Sequence, residues 1–153
     1  MNIYDRLKEL GVELPQSTPP AAAYCPGVKS GEFVFTAGQT PKVNGVLQYK
    51  GKCGTDLTLE EAQKAARMCA VNCLSIVDRL CGLDHVVRVV KVTGFVNCGA
   101  DFTKQSQVVD GASRLLYDLF GEAGAHARSA VGVASLPGGA ACEVEMIFQV
   151  REQ

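Results

Sequence analysis

The sequence predicts an α+β fold: a mixed β-sheet with two main helices packed on one face, preceded by a short N-terminal helix. Two long stretches repeat apolar residues at helical intervals, and short β-branched stretches bounded by Gly, Pro or Asn surround them. The resulting order is helix, two or three strands, helix, strand, helix and two strands, which groups helices against a sheet.

Each element has its own signal. Ile3, Leu7 and Leu10 recur at helical spacing until Gly11 and Pro15 stop the pattern, so residues 2–11 form a short amphipathic helix. After a Pro- and Ala-rich connector, AAAYCPGVKSGEFVFTAGQTP reads as two strands with a turn at Ser30 and Gly31. KVNGVLQY reads as a hairpin around Asn44-Gly45, because that dipeptide tolerates the left-handed turn that matches strand twist. Thr58 and Glu61 have capping-box spacing. Behind them Ala62, Ala65, Ala66, Cys69, Cys73, Ile76, Val77 and Leu80 share a helical face up to Gly82. HVVRVVKVTGFVNC is β-branched and apolar on both faces, as an interior strand requires. A second long helix follows Asp101, with Phe102, Val109, Ala112, Leu116, Leu119 and Phe120 on one face and Gly121 closing it. Residues 126–150 supply the last two strands, expected to form a hairpin through Pro137-Gly138-Gly139.

A chain of 153 residues, 47% hydrophobic and 20% charged, suits one domain over 1–153 with residues 1–15 as a helical appendage. Its formal charge of -1 supplies no global attraction to nucleic acid or to an anionic membrane. MNIYDRLKELG mixes charged and apolar residues, and no later stretch is long and apolar enough to span a bilayer, so a cytoplasmic protein is expected. Seven cysteines are an odd number without a Cys-x-x-Cys pair, and His85 and His126 lie far from paired cysteines. Neither a disulfide framework nor a metal site is expected. Cys25 is the candidate reactive thiol, although only Lys29 is near it in sequence. No Walker loop, GxGxxG or GxSxG motif occurs, and no cofactor is expected.

The final hairpin raises the functional question. A period-two reading groups Val131 and Val133 with Val144, Met146, Phe148 and Val150 as the face that meets the helices. The other face then holds Arg128, Ala130, Gly132, Glu143, Glu145 and Ile147, a pattern of small and charged residues suited to a close neighbour. With the turn at Gly138-Gly139, Glu143 falls opposite Ala134, about six residues or 20 Å from Arg128. A cleft using both would need a second subunit.

YCPGV, FTAGQTP, VTGFVN, ARSAVGVASLP and CEVEMIF occur here in the order and spacing of the RidA (YjgF, or L-PSP) family. The chain resembles that family over about residues 20–150, with the N-terminal helix and the GEAGAHA segment before Arg128 exceeding its minimal pattern. The resemblance implies a chorismate-mutase-like subunit, a homotrimer and ligand clefts between subunits. It also implies hydrolysis of reactive 2-imino and 2-enamino acids to 2-ketoacids and ammonia. Within it, Arg128 matches the arginine that clamps a substrate carboxylate, Glu143 the glutamate that positions water, Tyr24 a cleft tyrosine, and Gly38 a turn whose backbone faces the ligand. Ala37 stands where the imine-hydrolysing branch has Ser, and Ala130 where many members have Cys. The family's cleft asparagine falls at Asp110 or Gly111.

The side chains fit these roles chemically. An arginine fork can hold a carboxylate through two parallel bonds, and a surface ion pair is its structural alternative. A carboxylate such as Glu143 can move a proton between water and a departing amine. His126 and Glu145 are further candidates for the site, by their closeness in sequence to Arg128 and Glu143. Two other functions compete: a non-catalytic protein that binds a small carboxylate such as a 2-ketoacid, and an L-PSP-type endoribonuclease or translation inhibitor. The latter would draw on Lys42, Lys50 and Lys52 around Tyr49, against the near-neutral overall charge.

Overall fold

A computed structural model describes residues 1–16 and 23–152. Ala21 and Ala22, which open the first predicted strand stretch, and the centre of the connector lie outside the described residues. The elements are α1 (Ile3–Glu9), β1 (Gly27–Ser30), β2 (Phe33–Thr36), β3 (Lys42–Val43), β4 (Val46–Leu47), α2 (Leu59–Cys81), β5 (Val86–Asn97), α3 (Gln105–Phe120), β6 (Ala127–Val133) and β7 (Cys142–Val150). The fold is α+β, as the order of elements predicts. Five strands form one sheet in the order β1-β2-β7-β5-β6, and β3 and β4 make a separate hairpin.

Local signals operate as the sequence suggests. Thr58 accepts from the Glu61 amide while the Glu61 side chain accepts from the Thr58 amide, closing the capping box of α2. Asn44 and Gly45 have φ of 50° and 78°, which the β3–β4 turn requires. Ala62, Ala65, Ala66, Cys69, Cys73 and Val77 pack from α2 against Val109, Ala112, Leu116 and Leu119 of α3 and the inner face of the sheet. Leu80, expected on that face, is exposed. Phe102 precedes α3 and packs against the core from the loop. Helix α1 docks at its side: Leu7 is buried, Arg6 Nε donates to the Asp118 carbonyl at 2.8 Å, and the Tyr4 hydroxyl donates to Asp78 at 2.7 Å.

The last two strands are not a hairpin. β5 lies between them, parallel to β6 and antiparallel to β7. The β5-α3-β6 unit is a crossover that returns the chain in its original direction with α3 over the sheet. The Pro137–Gly139 turn then carries the chain past the end of β5, where the Asn97 side-chain amide donates to the Ala140 carbonyl at 3.0 Å.

This placement also corrects the predicted faces. Val144, Met146, Phe148 and Val150 are buried toward the helices, as expected. Arg128, Ala130 and Gly132, however, pair with Val92, Gly94 and Val96 and share their helix-covered side, whereas Val131 pairs with Phe95 on the open side and is 43% exposed. The phase of β6 is opposite to that expected because an edge strand beside a helix can bury its polar side chains against that helix.

Candidate functional site

The Arg128 region is built by β6 and α3. Arg128 Nη1 donates to Asp110 Oδ1 at 2.8 Å and to Ser113 Oγ at 3.1 Å, and Nη2 donates to Ser106 Oγ at 2.7 Å and to the Ser106 carbonyl at 3.2 Å. Ser106, Asp110 and Ser113 follow i, i+4, i+7 spacing, so one stripe of α3 meets the strand. That spacing was legible in the sequence, but the wrong phase for β6 gave it no partner. Of Asp110 and Gly111, Asp110 meets Arg128, while Gly111 turns toward the Gln63 backbone of α2.

His126 adjoins this network. Its Nδ1 lies 2.6 Å from the Gly124 carbonyl and its Nε2 lies 2.9 Å from Ser113 Oγ. A carbonyl only accepts, so Nδ1 carries the proton and the Ser113 hydroxyl donates to Nε2. Burial and the nearby Arg128 charge lower the His126 pKa and favour this neutral form. Its ring also lies 5.9 Å, centroid to centroid, from that of Tyr117. Ala130 is half-buried and packs against the core.

Glu143 belongs to a different group. It projects from β7 on the open side of the sheet, where it shares a face with Glu145. It is half-buried beside Gly38, where an added Cβ would lie 2.8 Å from the Glu143 carboxyl carbon. Any side chain at position 38 would displace the carboxylate. Burial, then repulsion from Glu145, pushes the Glu143 carboxyl above its usual range. The adjoining backbone is held by bonds from the Ala37 amide to the Pro26 carbonyl and from the Gln39 amide to the Val144 carbonyl, both 2.8 Å. Tyr24 is 55% exposed.

The six-residue separation expected from a hairpin is therefore corrected. Arg128 is level with Met146 and Glu143 with Val131, so the two are three registers and two strands apart, roughly 14 Å at ordinary sheet spacings. They also project from opposite faces. One chain holds two separate groups, one with Arg128 and one with Glu143.

Among the described residues, no group of three or more His, Cys, Asp or Glu side chains could hold a metal, and no helix is long and apolar enough to cross a membrane. Six of the seven cysteines are buried and Cys25 alone is exposed. Burial pushes the thiols of Cys53 and Cys73 up to about 12 and those of Cys69 and Cys81 upward as well. Iodoacetamide at neutral pH is therefore expected to label Cys25 in the folded protein and the other six only after denaturation. Rapid labelling of a second thiol, located by peptide mass, would contradict the burial of that cysteine in the folded chain.

An open five-stranded sheet backed by two helices, with its polar groups divided between an edge strand and a turn, defines the class. The chain belongs to the family described as "YjgF/chorismate mutase-like, putative endoribonuclease", which matches residues 4–150. Protein TCP17 of Trypanosoma cruzi is 46% identical over 148 residues, which cover 94% of this chain and 91% of that protein. The crystal structure of Atu1372 from Agrobacterium tumefaciens, whose function is unknown, matches with a TM-score of 0.91 and 41% identity over 97% of this chain and 92% of its own. A Shewanella oneidensis protein described as a "putative endoribonuclease" matches with a TM-score of 0.94 and 30% identity over 98% and 100% of the two chains.

Proposed function

We propose that the protein hydrolyses 2-imino and 2-enamino acids to 2-ketoacids and ammonia, in clefts built by two neighbouring copies of a homotrimer. The observation that carries this reading is Glu143, a half-buried carboxyl with a raised pKa, set where Gly38 leaves room for close approach. A raised pKa suits a group that must both accept and release a proton near neutrality. Glu143 takes a proton from water as the oxygen bonds to the imine carbon. It returns that proton to nitrogen, then takes the proton of the new hydroxyl as the C–N bond breaks, the carbonyl forms and ammonia leaves. Arg128 anchors the substrate carboxylate from the other copy, and Tyr24 and the Ala37-Gly38 turn shape the opening. Ala130 leaves space beside Arg128 on β6, His126 holds Ser113, and Glu145 keeps the Glu143 proton affinity high.

The open face of the sheet supports association. Val28, Phe35 and Val131 are 51%, 44% and 43% exposed, with Ile147 and Phe95 half-buried between them, so a large apolar surface lacks cover in one chain. In the proposed trimer, the copies that cover it set the Arg128 edge of one chain against Glu143 and the Gly38 turn of another.

The test couples an amino-acid oxidase, as a source of short-lived imines, to wild type and Arg128→Ala, and follows ketoacid release over several side chains. Wild type is expected to accelerate release and Arg128→Ala to lose at least tenfold of that acceleration. No acceleration with any imine would discard hydrolysis, and saturable ketoacid binding without turnover would support a carboxylate-binding regulator. RNA cleavage is a second reading, favoured by the words used for the family and the Shewanella relative and by an open groove of about 420 Å³ lined by Lys42, Lys50 and Pro137. It requires cleavage that survives stringent purification and disappears when those lysines are neutralised.

A further inference from the structure

The Arg128 fork is not a bare cation. Four of its N–H donors are directed at α3, and Asp110 balances its charge through the 2.8 Å ion pair. The Asp110 side chain is 36% exposed against 19% for Arg128, so the carboxylate forms the more open part of the pair. Among the described residues, its bond to Arg128 runs through Oδ1, and no hydrogen bond to Oδ2 is present. The positive charge is thus set deeper, with an acceptor at its rim.

A simple monoanion gains little from such a pair, because attraction to Arg128 is offset by repulsion from Asp110. A ligand with its own adjacent opposite charges can oppose both members. We propose that Asp110 is a specificity-determining residue that makes the Arg128 site select ligands carrying a cationic nitrogen beside the carboxylate, such as 2-iminium and 2-amino acids, over 2-ketoacids. The carboxylate accepts from Nη2 in place of Ser106, whose two bonds it displaces, and the ligand N–H groups donate to Asp110, which keeps its bond to Nη1. This rests on the reading of Arg128 as a carboxylate anchor.

The selection gives the reaction a direction. Hydrolysis replaces the C=NH₂⁺ group with a carbonyl, and the nitrogen leaves as ammonia with one proton released to solvent, together an ammonium ion. The product then faces Asp110 with an acceptor and no cation, so it binds more weakly than the substrate. The pair favours product release.

Calorimetry with stable ligands tests this without turnover, using alanine against pyruvate and leucine against 4-methyl-2-oxopentanoate. Wild type should bind at least one amino acid tenfold or more tightly than its ketoacid partner. Asp110→Asn, which keeps size but removes the charge, should gain at least tenfold for the ketoacid and lose affinity for the amino acid. Asp110→Glu should retain the wild-type order, which separates charge from folding. Equal binding of each pair by wild type, binding of none of the four, or an unchanged order in Asp110→Asn would overturn the proposal. Amino-acid selectivity with no imine turnover would uphold the charge pair and reject hydrolysis, whereas imine turnover with equal binding would do the reverse.

Discussion

Glu143→Gln is expected to lower imine turnover by about 10²–10⁴-fold, the usual contribution of a positioned acid-base group, while leaving the thermal midpoint unchanged or higher. An amide can hydrogen-bond water but cannot carry a proton between water and nitrogen. The stability sign follows from the raised pKa. Below the unfolded carboxyl value both states are protonated and Glu143 carries no charge penalty. As the pH rises through the folded value, the folded state must hold a charge disfavoured by burial and by Glu145, and stability falls. Gln removes that penalty at neutral pH. Parallel loss of turnover and folding would instead assign Glu143 a structural role.

The same variant tests the two-copy site. Arg128→Ala chains keep a working Glu143, and Glu143→Gln chains keep a working Arg128. In mixed trimers formed by refolding equal amounts together, one cleft of each mixed ring combines the intact halves, so roughly a quarter of wild-type turnover should return. Mixtures no more active than their parents would place both residues in one cleft of one chain, or remove one of them from the chemistry.

Gly111→Ala is expected to destabilise the fold by about 2–3 kcal/mol, despite the higher helix propensity of Ala. A Cβ at position 111 would lie 2.0 Å from the Gln63 carbonyl oxygen of α2, and backbone cannot step aside as a side-chain tip can. α2 and α3 would have to separate, loosening Ala65, Cys69 and Ala112 in the shared core. α3 also carries Ser106, Asp110 and Ser113, so the order around Arg128 should fall with stability. Gly99→Ala is the control, because a Cβ there has no atom within 4 Å. Chemical denaturation should show a lower midpoint for position 111 and little change for position 99. Equal midpoints would mean that the helix contact relaxes at almost no cost.

Local structure was legible because its causes are local. The Thr58-Glu61 capping box, the Asn44-Gly45 turn and the buried stripes of α2 and α3 depend on spacing along one segment. The alternation in β7 was equally readable, since apolar Val144, Met146, Phe148 and Val150 leave Glu143 and Glu145 to the opposite face. For β6 the same rule failed. Val131 is apolar yet exposed, and Arg128 is charged yet directed into the molecule, because α3 supplies polar partners on that side.

The sequence by itself determined the α+β class, both long helices and the tight turns, through periodicity and capping, and an ordered set of motifs singled out Arg128 and Glu143 as candidates. Only the tertiary structure decided that β5 separates β6 from β7, that Asp110 rather than Gly111 meets Arg128, and that Arg128 and Glu143 point to opposite faces. The physical reason is that strand pairing is chosen by contacts distant in sequence. A return through α3 places β6 parallel beside β5 and turns its polar side toward that helix.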